Sequence, residues 1–144
     1  MMDLRRQVSR KLPKKKATGF KKRADRKYLI GRTYKDYKAS LLENPVAFVV
    51  QMDMVYNDES NDPFIQTFKF FRSGLLFALY HTEKTSFSML KSIELLDSIL
   101  GELLFQKYIQ VLLTDRGAEF SAAQAIENRA NATRRTRVYY YDLM

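Results

Sequence analysis

The apolar residues of this chain fall into short runs separated by polar turns. Runs of this length that are rich in β-branched and aromatic residues predict strands. The segment Arg72-Ser73-Gly74 joins the second and third runs and predicts a tight hairpin. The five predicted strands span Ala47 to Tyr56, Phe64 to Phe71, Leu75 to His81, Ile109 to Leu113, and Val138 to Tyr141.

Helical periodicity appears between the third and fourth runs. A stripe begins after a cap at Thr85 or Ser86 and ends at Gly101. Shorter helical pieces are predicted from Glu102 to Tyr108 and from Ala122 to Asn128. The apolar residues of the stripe are Phe87, Leu90, Ile93, Leu96 and Leu100.

The resulting order is strand, strand, strand, helix, strand, helix, strand. Three antiparallel strands continued by parallel strands between helices form a mixed-sheet α/β domain. Because the second and third runs are almost continuously hydrophobic, we expect them to be buried on both faces, which requires helices to cover the sheet.

A further helix is predicted ahead of the first strand. Thr33 is a plausible cap, and Tyr37, Leu41 and Leu42 fall on one face of a helix that stops before Pro45. We expect this helix to dock the preceding arm against the core.

Charge divides the chain unevenly. The 144 residues carry a net charge of +9, but residues 1–38 hold fifteen Lys/Arg against three acids, and the remainder holds ten against thirteen. The basic arm is expected to be disordered or extended until an anionic partner orders it. DNA phosphates are one such partner, and a solvated linker that aids solubility is the alternative. The predicted DNA-binding residues are Arg5, Arg6, Arg10, Lys11, Lys14, Lys15, Lys16, Lys21, Lys22 and Arg23.

Other compositional features narrow the setting. The chain has no cysteine, which excludes disulfides and thiolate metal sites. The amino terminus lacks the apolar core of a signal peptide, and charged residues interrupt the longest apolar region. We expect no membrane association and a cytoplasmic location.

Two acids stand at the ends of predicted strands. Asp53 lies inside the first run, and Asp115 follows the fourth, just before Gly117, which is expected to let the backbone turn sharply. If these strands are neighbours, the two carboxylates converge and could hold a hard divalent cation. Asp115 alone also fits an ordinary turn, and Glu119 fits either a role near the metal or a helix cap. His81 and the loop acids Asp58, Glu59 and Asp62 are expected to be surface residues.

These motifs resemble a known family. The segments Val50-Gln51-Met52-Asp53-Met54-Val55 and Leu113-Thr114-Asp115-Arg116-Gly117-Ala118-Glu119-Phe120 are similar to the two catalytic motifs of DDE transposases of the insertion-sequence-thirty type. The flanking phrases Ile30-Gly31-Arg32-Thr33-Tyr34-Lys35-Asp36-Tyr37 and Arg134-Arg135-Thr136-Arg137-Val138-Tyr139-Tyr140 resemble family phrases in matching places.

The resemblance implies a ribonuclease-H-like fold with an integrase core at residues 45–144, preceded by a basic DNA-contacting linker at residues 1–44. It implies that Asp53 and Asp115 are catalytic residues and metal ligands, with Glu119 as a residue that supports the site. Such enzymes bind two Mg²⁺ or Mn²⁺ ions on three carboxylates and cleave and transfer DNA strands. The implied partners are DNA, at transposon ends and target, and a second copy or an intact transposase.

The chain also departs from the family pattern. The third acid, a Glu on a later helix, is expected beyond Met144, and we expect the family's amino-terminal helix-turn-helix region to be missing ahead of the basic arm. Arg116 stands where the family usually has Asn, and Asp142-Leu143-Met144 replaces an Asp-Pro turn. Two functions therefore stay open: a DNA strand-transfer enzyme, and a non-catalytic DNA-binding remnant that modulates an intact transposase.

Overall fold

The computed structural model describes residues 26–55 and 63–142. The strands are β1 (Val49–Val55), β2 (Phe64–Phe70), β3 (Leu76–His81), β4 (Val111–Thr114) and β5 (Arg137–Tyr140). The helices are α1 (Tyr34–Glu43), α2 (Ser86–Leu100), α3 (Glu102–Tyr108) and α4 (Ala123–Glu127), with single 3-10 turns at Lys27–Leu29 and Ala118–Phe120. No helix in these two ranges is both long enough and apolar enough to cross a membrane.

The five strands form one sheet in the order β3-β2-β1-β4-β5. The pairs β1–β2 and β2–β3 are antiparallel, and the pairs β1–β4 and β4–β5 are parallel. This arrangement confirms the predicted mixed sheet of the ribonuclease-H-like type. The hairpin between β2 and β3 is also confirmed, and Gly74 supplies its turn with a φ of +70°.

Helix α2 covers one face of the sheet. The Thr85 hydroxyl accepts a hydrogen bond from the backbone N–H of Ser88, and the helix ends at Gly101 with a φ of +78°. Its fully buried residues are Met89 and Ile93. Ile93 belongs to the predicted stripe, and Met89 does not. Phe87 belongs to the predicted stripe but is 62% exposed, so it lies outside the buried face of α2.

Helix α1 packs on the opposite face, against β5. Thr33 and Asp36 form a reciprocal capping box at its start. The Tyr37 ring lies 5.9 Å from the ring of Tyr139, so the helix is held by aromatic packing. Leu42, predicted on the docking face, is instead 84% exposed.

Part of the sheet is not covered by any helix of residues 26–55 and 63–142. The side chains of β1 to β3 that share the face of Asp53 include Val55, Ile65, Leu76 and Tyr80, which are 57%, 42%, 62% and 68% exposed. The prediction that β2 and β3 are buried on both faces is therefore wrong. Hydrophobicity in these strands is continuous, but only the α2 side is covered by the segments that the structure describes.

Candidate functional site

Asp53 lies near the carboxyl end of β1 with its side chain exposed. The sequence suggested a charge inside a buried run, and this is wrong because the strand is covered on one face only at that point. Neighbours Met52 and Met54 turn to the α2 side and are buried, while Asp53 turns to the other side. The Asp53 Oδ1 atom accepts a 2.8 Å hydrogen bond from the Met54 N–H.

Asp115 follows the last residue of β4 and is also exposed. In the parallel pairing, Gln51 lies beside Leu113. Continuing this register by two residues brings Asp115 level with Asp53, and neighbouring strands lie about 5 Å apart. The structure thus brings the two predicted acids together on one face of the sheet, at the carboxyl-terminal ends of the neighbouring strands β1 and β4.

Gly117 leaves space for neighbouring carboxylates and does not adopt an unusual backbone conformation. Its φ of −59° is accessible to any residue, contrary to the expectation of a sharp glycine turn. A Cβ atom at this position would lie 2.5 Å from the Glu119 Oε1 atom and 2.9 Å from the Asp115 Oδ1 atom. The Gly117 N–H donates a 2.8 Å hydrogen bond to that same Asp115 oxygen. The absence of a side chain at Gly117 therefore leaves space that the carboxylates of Glu119 and Asp115 occupy.

Glu119 sits in the 3-10 turn Ala118–Phe120 and caps no helix. Its side chain is only 10% exposed, and its Oε1 atom lies 3.8 Å from the Lys84 Nζ atom. Lys84 was not singled out from the sequence, because it comes from the loop before α2 and only folding brings it here. Glu119 is thus a nearly buried, charge-paired neighbour of Asp115, and its predicted supporting role stays a prediction.

Arg116 points away from the acid pair. Its Nε atom donates to the Tyr141 carbonyl oxygen at 2.9 Å, and its terminal nitrogen lies 2.9 Å from the Asp142 carboxylate. The Tyr28 hydroxyl reaches the Arg116 carbonyl oxygen at 3.5 Å. Arg116 therefore fastens the turn after β4 to the end of β5, and its charge is directed to that contact.

Tyrosines border the acid pair on the α1 side. The rings of Tyr34 and Tyr141 lie 5.9 Å apart, and both are half-buried. Burial raises the pKa of Tyr141, with further contributions from Tyr37, Tyr34 and the negative charge of Asp53. Tyr139 and Tyr140 are buried, so these two rings pack inside the protein and are not available to a ligand.

The acid pair matches part of what a divalent ion requires. Each carboxylate has one oxygen held by a backbone N–H, and this fixes its orientation. Magnesium is commonly held by one or two carboxylates together with waters and substrate phosphates, so two exposed acids suffice in number. Within residues 26–55 and 63–142, no group of three or more acids or histidines gathers closely enough to hold a metal ion.

The other predicted site residues divide into two sets. The ten basic residues from Arg5 to Arg23 lie outside the described residues, as do Asp58, Glu59 and Asp62. His81 is not a free surface residue as predicted. Its Nε2 atom lies 2.9 Å from the Gln66 Oε1 atom and 2.8 Å from the Ser92 hydroxyl, and its ring stacks on Phe64. These contacts hold β3 against β2 and α2.

Comparisons with known proteins add little to the geometry. No protein-family model matches the chain, and no curated protein matches its sequence. Among solved structures, it is similar to a chain in the simian T-cell lymphotropic virus intasome bound to the PP2A regulatory subunit B56 gamma. The identity is 19% and the TM-score 0.47, over 66% of this chain and 34% of the other. This chain thus spans about a third of that protein's length.

Proposed function

We propose that this chain is the core of a DNA-recombining enzyme of the integrase and transposase class, acting in DNA strand cleavage and transfer. The observation that carries the proposal is the pairing of Asp53 with Asp115. Both are exposed, and both lie on one face at the carboxyl-terminal ends of β1 and β4. Each is oriented by a backbone hydrogen bond.

The residues have separate roles in this proposal. Asp53 and Asp115 hold the metal through the carboxylate oxygens that the backbone leaves free. Gly117 keeps space beside Asp115, and Arg116 anchors the turn that carries it. Divalent ions, when bound, would activate the attacking oxygen and stabilise the leaving one. The basic arm of residues 1–38 supplies contacts to the DNA backbone.

Metal binding can be tested by thermal melting with and without Mn²⁺. An ion that binds only the folded chain stabilises it by about 2.7 kcal/mol at 100 times its Kd. This corresponds to a rise of several degrees for a domain of this size. We expect the rise in the wild type and its loss in Asp53→Asn and Asp115→Asn. Glu94→Gln, which changes an exposed acid on α2, should keep it.

The enzymatic claim has its own readout. Mn²⁺-dependent nicking of duplex DNA by the wild type, lost in both Asp→Asn variants, would support strand cleavage. A folded wild type that shows neither a melting shift nor nicking would contradict the proposal.

A non-catalytic DNA-binding protein is the second candidate. It is favoured because residues 26–55 and 63–142 contain no group of three or more acids or histidines that could hold a metal ion. In that case, DNA affinity should fall steeply with added salt, as expected for phosphate contacts, and should not change in Asp53→Asn or Asp115→Asn. Such a protein could still associate with an intact transposase and modulate it.

A further inference from the structure

β3 forms an unprotected edge of the sheet. The Phe70 N–H donates to the Leu75 carbonyl oxygen at 2.9 Å, which fixes the phase of the β2–β3 ladder. Because the bonding direction alternates along an antiparallel strand, the N–H and C=O groups of Leu76, Ala78 and Tyr80 point away from β2. Among the described segments, no strand pairs with this side of β3.

Monomeric proteins usually block such an edge with a charge, a proline or a bulge. Residues 75–81 contain none of these, since the sequence is Leu-Leu-Phe-Ala-Leu-Tyr-His and the pairing with β2 is regular. The pKa of His81 is lowered by burial, so its ring is neutral near pH 7. The edge is therefore uncharged, and it adjoins the exposed side chains of Leu76 and Tyr80.

We propose that two copies of this chain associate by antiparallel pairing of their β3 strands about a two-fold axis at Ala78. In this register Ala78 lies opposite Ala78 of the second copy, and Leu76 lies opposite Tyr80 of the second copy. All three outward-pointing residues then find both a donor and an acceptor. A small residue at the centre, flanked by an aliphatic and aromatic pair on each side, is a favourable cross-strand arrangement.

Charge near the ends of the strand also suits a second copy. Exposed Arg72 precedes β3 and exposed Glu83 follows it, so antiparallel pairing brings the acid of each copy towards the basic residue of the other. The neighbouring Lys84 is paired with Glu119 of its own chain. A single pair of short strands belongs to the small interfaces, below about 1,200 Å², so we expect a weak dimer with a micromolar Kd.

Analytical ultracentrifugation of the full chain tests the association. The wild type should show a reversible monomer–dimer equilibrium over roughly 10 to 500 μM, which brackets the Kd of a weak interface. Leu76→Lys adds a charge at the edge and should abolish the dimer. Ala78→Pro should do the same, because the Ala78 N–H points away from β2 and its loss leaves the β2–β3 ladder intact. Leu103→Lys alters a leucine of α3 that is 83% exposed and should dimerise like the wild type.

A cross-link tests the register. The chain has no cysteine, so Ala78→Cys introduces a unique thiol, and residues paired in this way have Cα atoms about 5.5 Å apart. A short bismaleimide should link Cys-substituted chains into dimers at position 78 and not at the exposed position of Ala39→Cys on α1. The inference is overturned if the folded wild type stays monomeric throughout. It is also overturned if Leu76→Lys still dimerises, or if both cysteine variants cross-link equally. It does not depend on the metal site.

Discussion

The two edge strands of the sheet, β5 and β3, differ in whether described segments pair with their outward-pointing backbone groups. At β5, the Val138 N–H donates to the Glu127 Oε1 atom at 3.0 Å, and the Tyr140 N–H donates to the Arg32 carbonyl oxygen at 2.9 Å. At β3, the outward backbone groups have no strand beside them among the described segments. One edge is closed by side chain and backbone from distant segments, and the other is open.

The closed edge is where the segment before the core is joined to it. Arg32 makes two hydrogen bonds to Glu127, at 3.0 and 2.7 Å, across 95 positions of sequence. The Tyr28 ring adds an edge-on contact with Tyr140 at 5.2 Å. Tertiary contacts near β5 therefore stabilise that edge, whereas β3 depends on its ladder with β2 and on the packing of Leu79 and His81.

The largest expected effect comes from opening the closed edge with Glu127→Ala. The Glu127 side chain is 9% exposed, and its loss leaves the Arg32 guanidinium and the Val138 N–H without their acceptor. Removing one member of a largely buried pair costs several kcal/mol, and we expect about 3 kcal/mol because Arg32 keeps some access to water. Urea unfolding followed by circular dichroism measures the loss.

Two further variants are controls for the loss of stability in Glu127→Ala. Glu127→Gln keeps an acceptor for the Val138 N–H and should lose less stability than Glu127→Ala. Glu43→Ala removes an exposed acid of α1 and should change stability by less than about 0.5 kcal/mol. If Glu127→Ala behaves like Glu43→Ala, the closed edge is not a source of stability.

Each edge strand carries a tyrosine, and the two differ in burial. The Tyr140 hydroxyl donates to the Phe120 carbonyl oxygen in a fully buried contact, whereas Tyr80 is 68% exposed. Tyr140→Phe leaves that buried carbonyl unpaired and should cost about 1–3 kcal/mol. Tyr80→Phe should stay within about 0.5 kcal/mol of the wild type. Equal losses in the two variants, measured by urea unfolding at low protein concentration, would contradict the difference between the edges.

Local patterns predicted most of the fold. Turn chemistry placed the hairpin at Gly74, the cap at Thr85 placed the start of α2, and short apolar runs placed all five strands. The position of Asp53 in the first strand and of Asp115 directly after the fourth was enough to predict that the parallel register brings them level. These features depend on neighbours in sequence or on strand order, both of which the residue pattern encodes.

Long-range pairing escaped the same reasoning. Nothing in the pattern around Glu127 distinguishes a buried, bidentate partner of Arg32 from an ordinary helix acid. The hydrophobicity of β3 was interpreted as two-sided burial because periodicity cannot show whether a helix covers a face. Gly117 was interpreted as a turn residue, whereas the folded chain shows that a side chain there would meet the carboxylates of Glu119 and Asp115.

The smallest expected effect concerns His81, the last residue of β3. Burial favours the neutral ring and lowers its pKa below the ordinary value of 6.5, so the unfolded chain takes up the proton more readily than the folded chain. The free energy of unfolding is therefore not reduced by His81 above about pH 6.5, and it decreases as the pH falls below that value. The Asp97 carboxylate responds at lower pH. Burial opposes its ionisation, but hydrogen bonds and charge from Arg129 and Arg135 outweigh burial and lower its pKa.

Urea unfolding at pH 7.5, 6 and 5 separates the two groups, because carboxylates such as Asp97 stay ionised over this range. The wild type should lose stability between pH 7.5 and pH 5 by less than either variant at the closed edge loses. His81→Gln should show a flatter profile over the same range, although it also loses the stacking on Phe64 and so starts from lower stability. An unchanged slope in His81→Gln would mean that the ring is as open to water as the rest of the β3 edge.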